Sequence, residues 1–495
     1  MNEKKNVISK IFGILFSLVL VISSIYCLYQ LIQLNVLTSK LLFLATTIFI
    51  LIDLIFVLLL CFISKGIVSK IICILLSVVL SVGSGIGGYY ISKTGGALNK
   101  ITSVTKNAKN TVSIIVKQSS DIKDKKSLNG LTVGYLRNIG TAGSAAMLED
   151  LSKSNIKMEQ KQYDSMTALL EAFYNGEVDS IIINESSRSQ ILDMEAYSNF
   201  DSNTRVVYQT SYKVKNNDSA TAVSDITSKP FNVLISGSDT RGGFDENGRS
   251  DVIMIATVNP KTHTILLTSV PRDFYVTTAC DAGDGCMQGA LDKITHTGIH
   301  GTNTTKRTVE QLLGIEINYT FKVGFDTVTE LVDVLGGVDV YVEPGYATTT
   351  SQFSVHEGVN HLNAEQALAF ARERYSYTEG DRQRTKNQQQ VLMGIVKEAT
   401  KPSVITNYAA IMDTMANTFS TTMSNEEITD LIKYQLNNNP TWKMEQYMVD
   451  GTGDTLMCAE LGDAASVMVP DQSTVKMAKD KINAVLAGKS SEDVK

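Results

Sequence analysis

The stretch FNVLISGSDTR (231–241), with GRSDVIMIATV (248–258) and THTILLTSVPRD (262–273) behind it, decides the fold of this chain. FNVLISG, DVIMIATV and THTILLTSV read as buried strands, the last two joined by Asn-Pro-Lys, which favours a turn. Charges stand at the strand ends: Asp239 and Arg241, Arg249 and Asp251, Arg272 and Asp273. Ligands of open α/β sheets collect at the carboxyl ends of strands. If the GGFDEN excursion folds back, Asp239 and Asp251 face each other. Two carboxylates suit magnesium, which fills its octahedron with waters and phosphate oxygens, and Arg272 adds a fork that grips phosphate bidentately. Any one of these charges is as well explained by a surface ion pair, worth under about 1 kcal/mol. Their recurrence at element termini points to a site for a divalent metal and a pyrophosphate.

Downstream, TKRTVEQLLG and DTVTELVDVLGG read as helices that end at glycine. NAEQALAFARER opens with Asn363 as N-cap and Gln366 three residues on, a capping box, and RTKNQQQVLMGIVKEAT is a further helix. Arg372 and Arg374 lie two apart, a spacing that does not share a helix face. If both serve one ligand, the helix ends or distorts near Ala371; otherwise one points to solvent or pairs with Glu373. Sheet and helix together predict a layered α/β/α domain over 230–400. Its C-terminal part over 401–487 contains SNEEITDLIKYQLNN, WKMEQYMVD and a last helix, and a disordered tail follows at 488–495.

Upstream, 93–229 reads as a polar stalk, a small α/β accessory domain and a linker at 216–229. LTVGYL, IKMEQKQ and VDSIIIN are strands that alternate with helices in AGSAAMLEDLSKS and MTALLEAFYNG. That rhythm implies a parallel sheet covered on both faces. The segment resembles one lobe of a periplasmic solute-binding protein over about 100 residues. A working binding protein of that kind usually needs two lobes, which favours a structural or docking role. The stalk carries one further candidate strand, TVSIIVK.

Residues 1–92 hold three apolar runs, at 7–32, 41–63 and 67–91. Each exceeds the about 20 residues that cross a hydrocarbon core. Lys4, Lys5 and Lys10 flank the first run and Lys65 and Lys70 lie between the second and third, while the other loop carries only Lys40. The positive-inside rule then puts the N-terminus in the cytoplasm and everything after about Lys93 outside a bacterial membrane. Asp53 sits within the second run, either as a functional group or facing a neighbouring helix. A net charge of −6 gives no support for nucleic-acid binding. Cys280 and Cys286 are close enough for a loop-closing disulfide, with Cys458 as the odd thiol outside the runs. His296 and His300 form the only His pair at helical spacing, in a glycine-broken segment that argues against a metal site.

FNVLISGSDTR, GRSDVIMIATV, ILLTSVPRDFYV, LDKITHTGIHG, ELVDVLGGVDVYV, ALAFARERY and GDRQRTKNQQQVL together resemble the LytR-CpsA-Psr family over roughly 231–400. The three apolar runs with an accessory domain are similar to its capsule-associated branch. The resemblance implies an extracytoplasmic transferase that moves a glycopolymer, here capsular polysaccharide, from a polyprenyl-pyrophosphate carrier to peptidoglycan, with capsule export proteins as further partners. It implies magnesium, or manganese in its place, at Asp239 and Asp251. It also implies pyrophosphate contacts from Arg249, Arg272, Lys293, Arg372, Arg374, Arg384 and Gln388, with Asp273 orienting Arg272. Asp239 or Asp251 is the candidate base. Apolar residues at Phe321, Phe325, Val328, Leu331, Val332 and Leu335 line a lipid tunnel or form ordinary core. Asn387 departs from a family arginine, and CDAGDGC (280–286) is an insertion. A non-catalytic membrane regulator and a polyprenyl-pyrophosphate phosphatase are the competing readings.

Overall fold

The computed structural model describes residues 2–64, 66–102, 107–215, 217–238, 246–281, 285–401, 404–416 and 419–494. Asp239, Arg241, Lys65 and most of the GGFDEN excursion fall outside them. So do the centre of the CDAGDGC loop and the side chain of Phe325.

The chain divides into two compact units. The first comprises residues 1–102, 398–416 and 424–440. Its N-terminal helices are α1 (Asn2–Leu34), α2 (Ser39–Leu58, prolonged by a π-helical turn to Ile63) and α3 (Ile67–Thr102). All three are long and apolar enough to cross a membrane. A Cβ on Gly88 would lie 2.6 Å from the Tyr26 ring, so glycine is what lets α1 and α3 approach this closely. Ser24 Oγ donates to Asp53 Oδ1 at 2.9 Å, so Asp53 faces a neighbouring helix.

The expected stalk is corrected at its start, because α3 continues through Thr102. There Ala97, Leu98 and Ile101 are buried, and helices Val404–Met415 and Asn425–Asn438 pack on α3. Asn425 bonds Asn99 and Thr102. The expected C-terminal part 401–487 therefore divides, with these two helices joining the first unit.

The second unit begins with the accessory sheet. Its strands are β1 (Asn107–Lys117), β2 (Thr132–Leu136), β3 (Glu159–Tyr163), β4 (Ser180–Asn184) and β5 (Thr204–Lys215), in the order β3-β2-β4-β1-β5. The β3-β2-β4 core is parallel, as the strand–helix rhythm predicts. Strands β1 and β5 add antiparallel, so the sheet is mixed. Helices α4 (Thr141–Lys153), α5 (Met166–Asn175), α6 (Arg188–Asp193) and α7 (Phe200–Asn203) cover it. Along β4, Ile181 and Ile183 bury with Leu169 and Phe173, and Ile182 buries with Val133 and Met147 on the other side. Both faces are covered, which is why this strand is continuously apolar.

The larger sheet holds β6 (Phe231–Ser238), β7 (Ser250–Asn259) and β8 (Thr264–Val270) as an antiparallel centre. After β9 (Tyr275–Thr277), β10 (Leu291–Lys293) and helix α8 (Thr302–Leu313), strand β11 (Tyr319–Gly324) joins β6 in parallel. Helix α9 (Phe325–Leu335), strands β12 (Val338–Val342), β13 (Thr348–Thr349), β14 (Ser354–Val355) and β15 (Gly358–Leu362), and helices α10 (Ala364–Arg372) and α11 (Asp381–Ala399) follow. The edges are β16 (Phe419–Thr421) and β17 (Lys443–Met448), and β18 (Gly451–Cys458) pairs with β19 (Asp463–Pro470) as a separate ribbon. On one face Leu234, Ile253 and Ile255 pack against Val309, Leu313 and the last helix, Gln472–Leu486. The opposite face carries Ile235 and Met254, which the register places side by side. This is the α/β/α layering expected.

Glycines 314 and 336 terminate α8 and α9 in left-handed conformation, and Asn363 with Gln366 closes a capping box on α10. The expected disordered tail is corrected. Ser490 Oγ and the Ser491 amide each donate to buried Glu445 at 2.8 Å, and Lys481 donates to the Ser491 carbonyl at 2.6 Å. Cys280 and Cys286 form a disulfide with Cα atoms 6.2 Å apart. Cys458 is a free thiol whose pKa burial pushes up to about 12.

Candidate functional site

Strands β7 and β8 bring their charged ends together. Asp251, at the start of β7, accepts from Arg272 Nη1 at 3.0 Å and from Thr295 Oγ1 at 3.2 Å. Its second oxygen lies 3.6 Å from Arg249. Burial pushes the Asp251 carboxyl up, but the two guanidiniums outweigh it and hold the group below its usual range. Asp251 is therefore ionised and committed to cations, which makes it a poor proton acceptor. Asp273 lies 3.8 Å from Arg272 Nε and accepts from Lys293 Nζ at 3.3 Å, so it orients the lysine as well as the arginine.

Helix α10 ends at Arg372, and Glu373 is extended. The helix thus ends near Ala371, between the two arginines. Arg374 turns into a cleft of about 560 Å³ that Arg249, Arg272, Asp273 and Lys293 also line. Arg372 is exposed and lies outside that lining. Arg384, on α11, pairs with Asp381. Burial lowers its pKa, Arg272 and Arg374 push it further down, and Asp381 does not restore it. Buried Nε–H groups of Arg272 and Arg384 have no hydrogen-bond partner. The cluster is thus short of acceptors and of negative charge, the condition that an anionic ligand relieves.

Gln388 follows Arg384 by one helical turn on α11 and lines an apolar cavity of about 90 Å³. The floor is Ile235, Gly237, Val252 and Met254, paired across β6 and β7. A Cβ on Gly237 would come within 2.7 Å of the Val252 side chain. Of the six apolar residues singled out in the sequence, Val328 lines this cavity. Val332 is core with Val338 and Phe370, and Phe321 meets Phe419 edge-on at 5.1 Å. Leu331 and Leu335 are outside the lining, which comes instead from alternating strand positions and from Leu368, Val391, Leu392 and Ile395. Period two on β6 and β7 was the available signal.

Asn387, which the resemblance marks as a departure, is buried. It donates to the Phe370 carbonyl at 3.0 Å, tying α11 to the last turn of α10. His296, first considered only as half of a metal pair, lines the polar cleft with Nδ1 2.7 Å from buried Asp292. Burial pushes Asp292 up, yet His296 and two backbone amides hold it below the ordinary carboxylate range. His300 is separately engaged with Glu460 at 2.7 Å. No group of three metal-ligating side chains occurs among the described residues. The described donor set fits magnesium only in part, through one ionised carboxylate, Asp251.

The α/β/α domain thus carries a guanidinium-rich cleft and an apolar cavity, and in sequence it follows three helices long and apolar enough to cross a membrane. The LytR_cpsA_psr family model matches residues 196–484, and the chain belongs to that family. A second model, NMT1/THI5 like, matches residues 91–225. The chain is 32% identical over 240 residues to the polyisoprenyl-teichoic acid–peptidoglycan teichoic acid transferase TagU of Bacillus cereus (strain AH820), covering 48% of this chain and 75% of that protein. It is 34% identical over 203 residues to the protein of the same name in Bacillus subtilis (strain 168), covering 41% and 63%. The crystal structure of B. subtilis TagU aligns at 28% identity with a TM-score of 0.41, over 52% of this chain and 97% of that one.

Proposed function

We propose that this protein is an extracytoplasmic, multi-pass phosphotransferase that moves a capsular polysaccharide from a polyprenyl-pyrophosphate carrier to peptidoglycan. The observation that carries the reading is the pair of buried Nε–H donors on Arg272 and Arg384 left without acceptors. A diphosphate brings both the oxygens and the charge they lack. In this reading the carrier's first carbons enter the apolar cavity beside Gln388. Relatives named as teichoic acid transferases support the reaction class. The three apolar helices and the accessory domain support the capsular branch.

In the reaction, an acceptor sugar hydroxyl attacks the phosphorus that bears the glycan. The bond to the bridging oxygen breaks, and polyprenyl phosphate leaves. Arg272, Arg374 and Arg384 hold the phosphate oxygens as charge shifts across them, and catalysis of this kind is mainly positioning and neutralisation. Asp251, together with Asp239, would hold magnesium, which would supply further neutralisation of phosphate charge. With Nδ1–H donated to Asp292, the other nitrogen of His296 takes the acceptor's proton, while Asp251 stays paired with arginine.

The test uses the full-length protein in liposomes with a polyprenyl-diphosphate-linked glycan and purified wall sacculi. Glycan bound covalently to the sacculus should appear in step with polyprenyl phosphate. His296→Gln should slow this by about a hundredfold or more, the usual contribution of proton transfer, with carrier binding unchanged. Free phosphorylated glycan without sacculus attachment would instead identify a hydrolase, and neither product a regulator.

A further inference from the structure

The accessory domain does not stand apart from the cleft; it forms one of its walls. The α5 amides of Met166 and Thr167 donate to the Leu461 carbonyl at 2.8 Å and to Asp463 at 2.9 Å, on the loop between β18 and β19 and at the start of β19. Gly462, at φ +64°, makes the approach possible, since a Cβ there would lie 2.5 Å from the Asp164 carbonyl oxygen. From α6 and the turn after it, Gln190, Asp193 and Tyr197 line the same cleft as Arg272, Lys293 and Arg374. Asp193 pairs with Arg249. Tyr197 stacks on Tyr174 with ring centroids 5.7 Å apart and planes 16° from parallel.

Gln190 is the group without an explanation. It is 3% exposed, and neither its amide nitrogen nor its amide oxygen has a partner. A buried amide with both ends unmet is costly unless a ligand satisfies it. The cleft is also polarised. Its family-domain wall is cationic, whereas its accessory wall offers an amide, the carboxylates of Glu171 and Asp193, and an aromatic ring. Diphosphate suits the first wall. The second suits a pyranose, whose hydroxyls need both donors and acceptors and whose apolar face packs on an aromatic ring. A volume of about 560 Å³ falls within the roughly 300–1,000 Å³ of small-ligand sites.

We propose that the accessory wall is a sugar-binding subsite in which Gln190 bonds a pyranose and Tyr197 packs against its face. The proposal rests on the diphosphate reading of the cationic wall. The sugar comes either from the glycan attached to the diphosphate or from the acceptor, and the two arms of the test separate these sources.

Full-length protein in nanodiscs is titrated with geranylgeranyl diphosphate, with its N-acetylglucosamine-bearing counterpart, and with a disaccharide muropeptide. Gln190→Leu removes both amide functions at similar volume. It should weaken the sugar-bearing diphosphate about three- to tenfold, the usual worth of one or two hydrogen bonds, and leave the sugar-free diphosphate unchanged. Tyr197→Leu, at a half-buried position, should repeat the pattern and guards against misfolding of the first variant. Weakening confined to the muropeptide also supports the subsite and assigns it to the acceptor. Equal weakening of both diphosphates, or no change with any sugar, overturns it. If the wild type binds neither diphosphate, the pyrophosphate reading itself fails and the subsite falls with it.

Discussion

Arg384 shows why charge count alone is a weak guide to a site. Four guanidiniums, on Arg249, Arg272, Arg374 and Arg384, meet carboxylates that satisfy only some of them, and Arg384 is held below its ordinary value by burial first and then by Arg272 and Arg374. A lysine keeps the charge but not the fork. Arg374→Lys and Arg384→Lys should each lower transfer about tenfold or more, since a charge-assisted hydrogen bond is worth roughly 1.5–3 kcal/mol. Arg137 serves as the surface control. It is half exposed and 3.2 Å from exposed Asp164, and Arg137→Lys should leave transfer within twofold, as surface pairs contribute about 0–1 kcal/mol. Equal tolerance at all three positions would make the cluster peripheral. At this scale the positions of Arg249, Asp251, Arg272 and Asp273 were legible because they stand at strand ends, and that of Arg374 because it follows a capped helix, whereas Lys293 entered only through the family resemblance. Gln190 and His296 were not legible. A lone glutamine or histidine carries no periodicity, and only tertiary contact puts either one in the cleft wall.

Elements were legible where local chemistry dictates them. The terminating glycines of α8 and α9 and the capping box of α10 depend on residues within one turn. By contrast, β5 and the antiparallel placement of β1 depend on partners far along the chain. The ordered C-terminus is of the second kind, since it rests on Glu445 of β17. Burial pushes that carboxyl up, but hydrogen bonds from Lys443, Ser490 and Ser491 prevail and lower it to about 2. A depressed folded-state value means the contribution to stability is full above the ordinary glutamate range, near pH 4.5. It is lost as pH falls from there toward about 2. Protection factors of the amides of residues 488–494, taken relative to the intrinsic exchange rate at each pH, should therefore fall over that window. Glu445→Gln should remove most of the pH dependence and leave the tail exchanging quickly at pH 7. An unchanged exchange profile in the variant would mean that the last helix, not Glu445, anchors the tail.

For the molecule as a whole, its orientation in the membrane decides whether the proposed chemistry is available at all. The proposed reaction uses a peptidoglycan acceptor, which lies outside the cell, so the proposal requires the cleft to lie there. Lys4, Lys5 and Lys10 flank the start of α1, and Lys70 stands near the start of α3, whereas the loop from α1 to α2 has Lys40 alone. With three crossings, an inside N-terminus obliges the end of α3 to emerge outside. The disulfide between Cys280 and Cys286 agrees with this, because such bonds persist in oxidising compartments. Protease added to intact protoplasts should accordingly degrade the protein beyond about Lys93 while a cytosolic marker survives. The protected fragment should contain α1 to α3 and react with an antibody to an N-terminal tag only after the membrane is opened. Survival of the whole chain alongside the marker would place the cleft in the cytoplasm, where no peptidoglycan acceptor exists. The arginine cluster would then need a different anion.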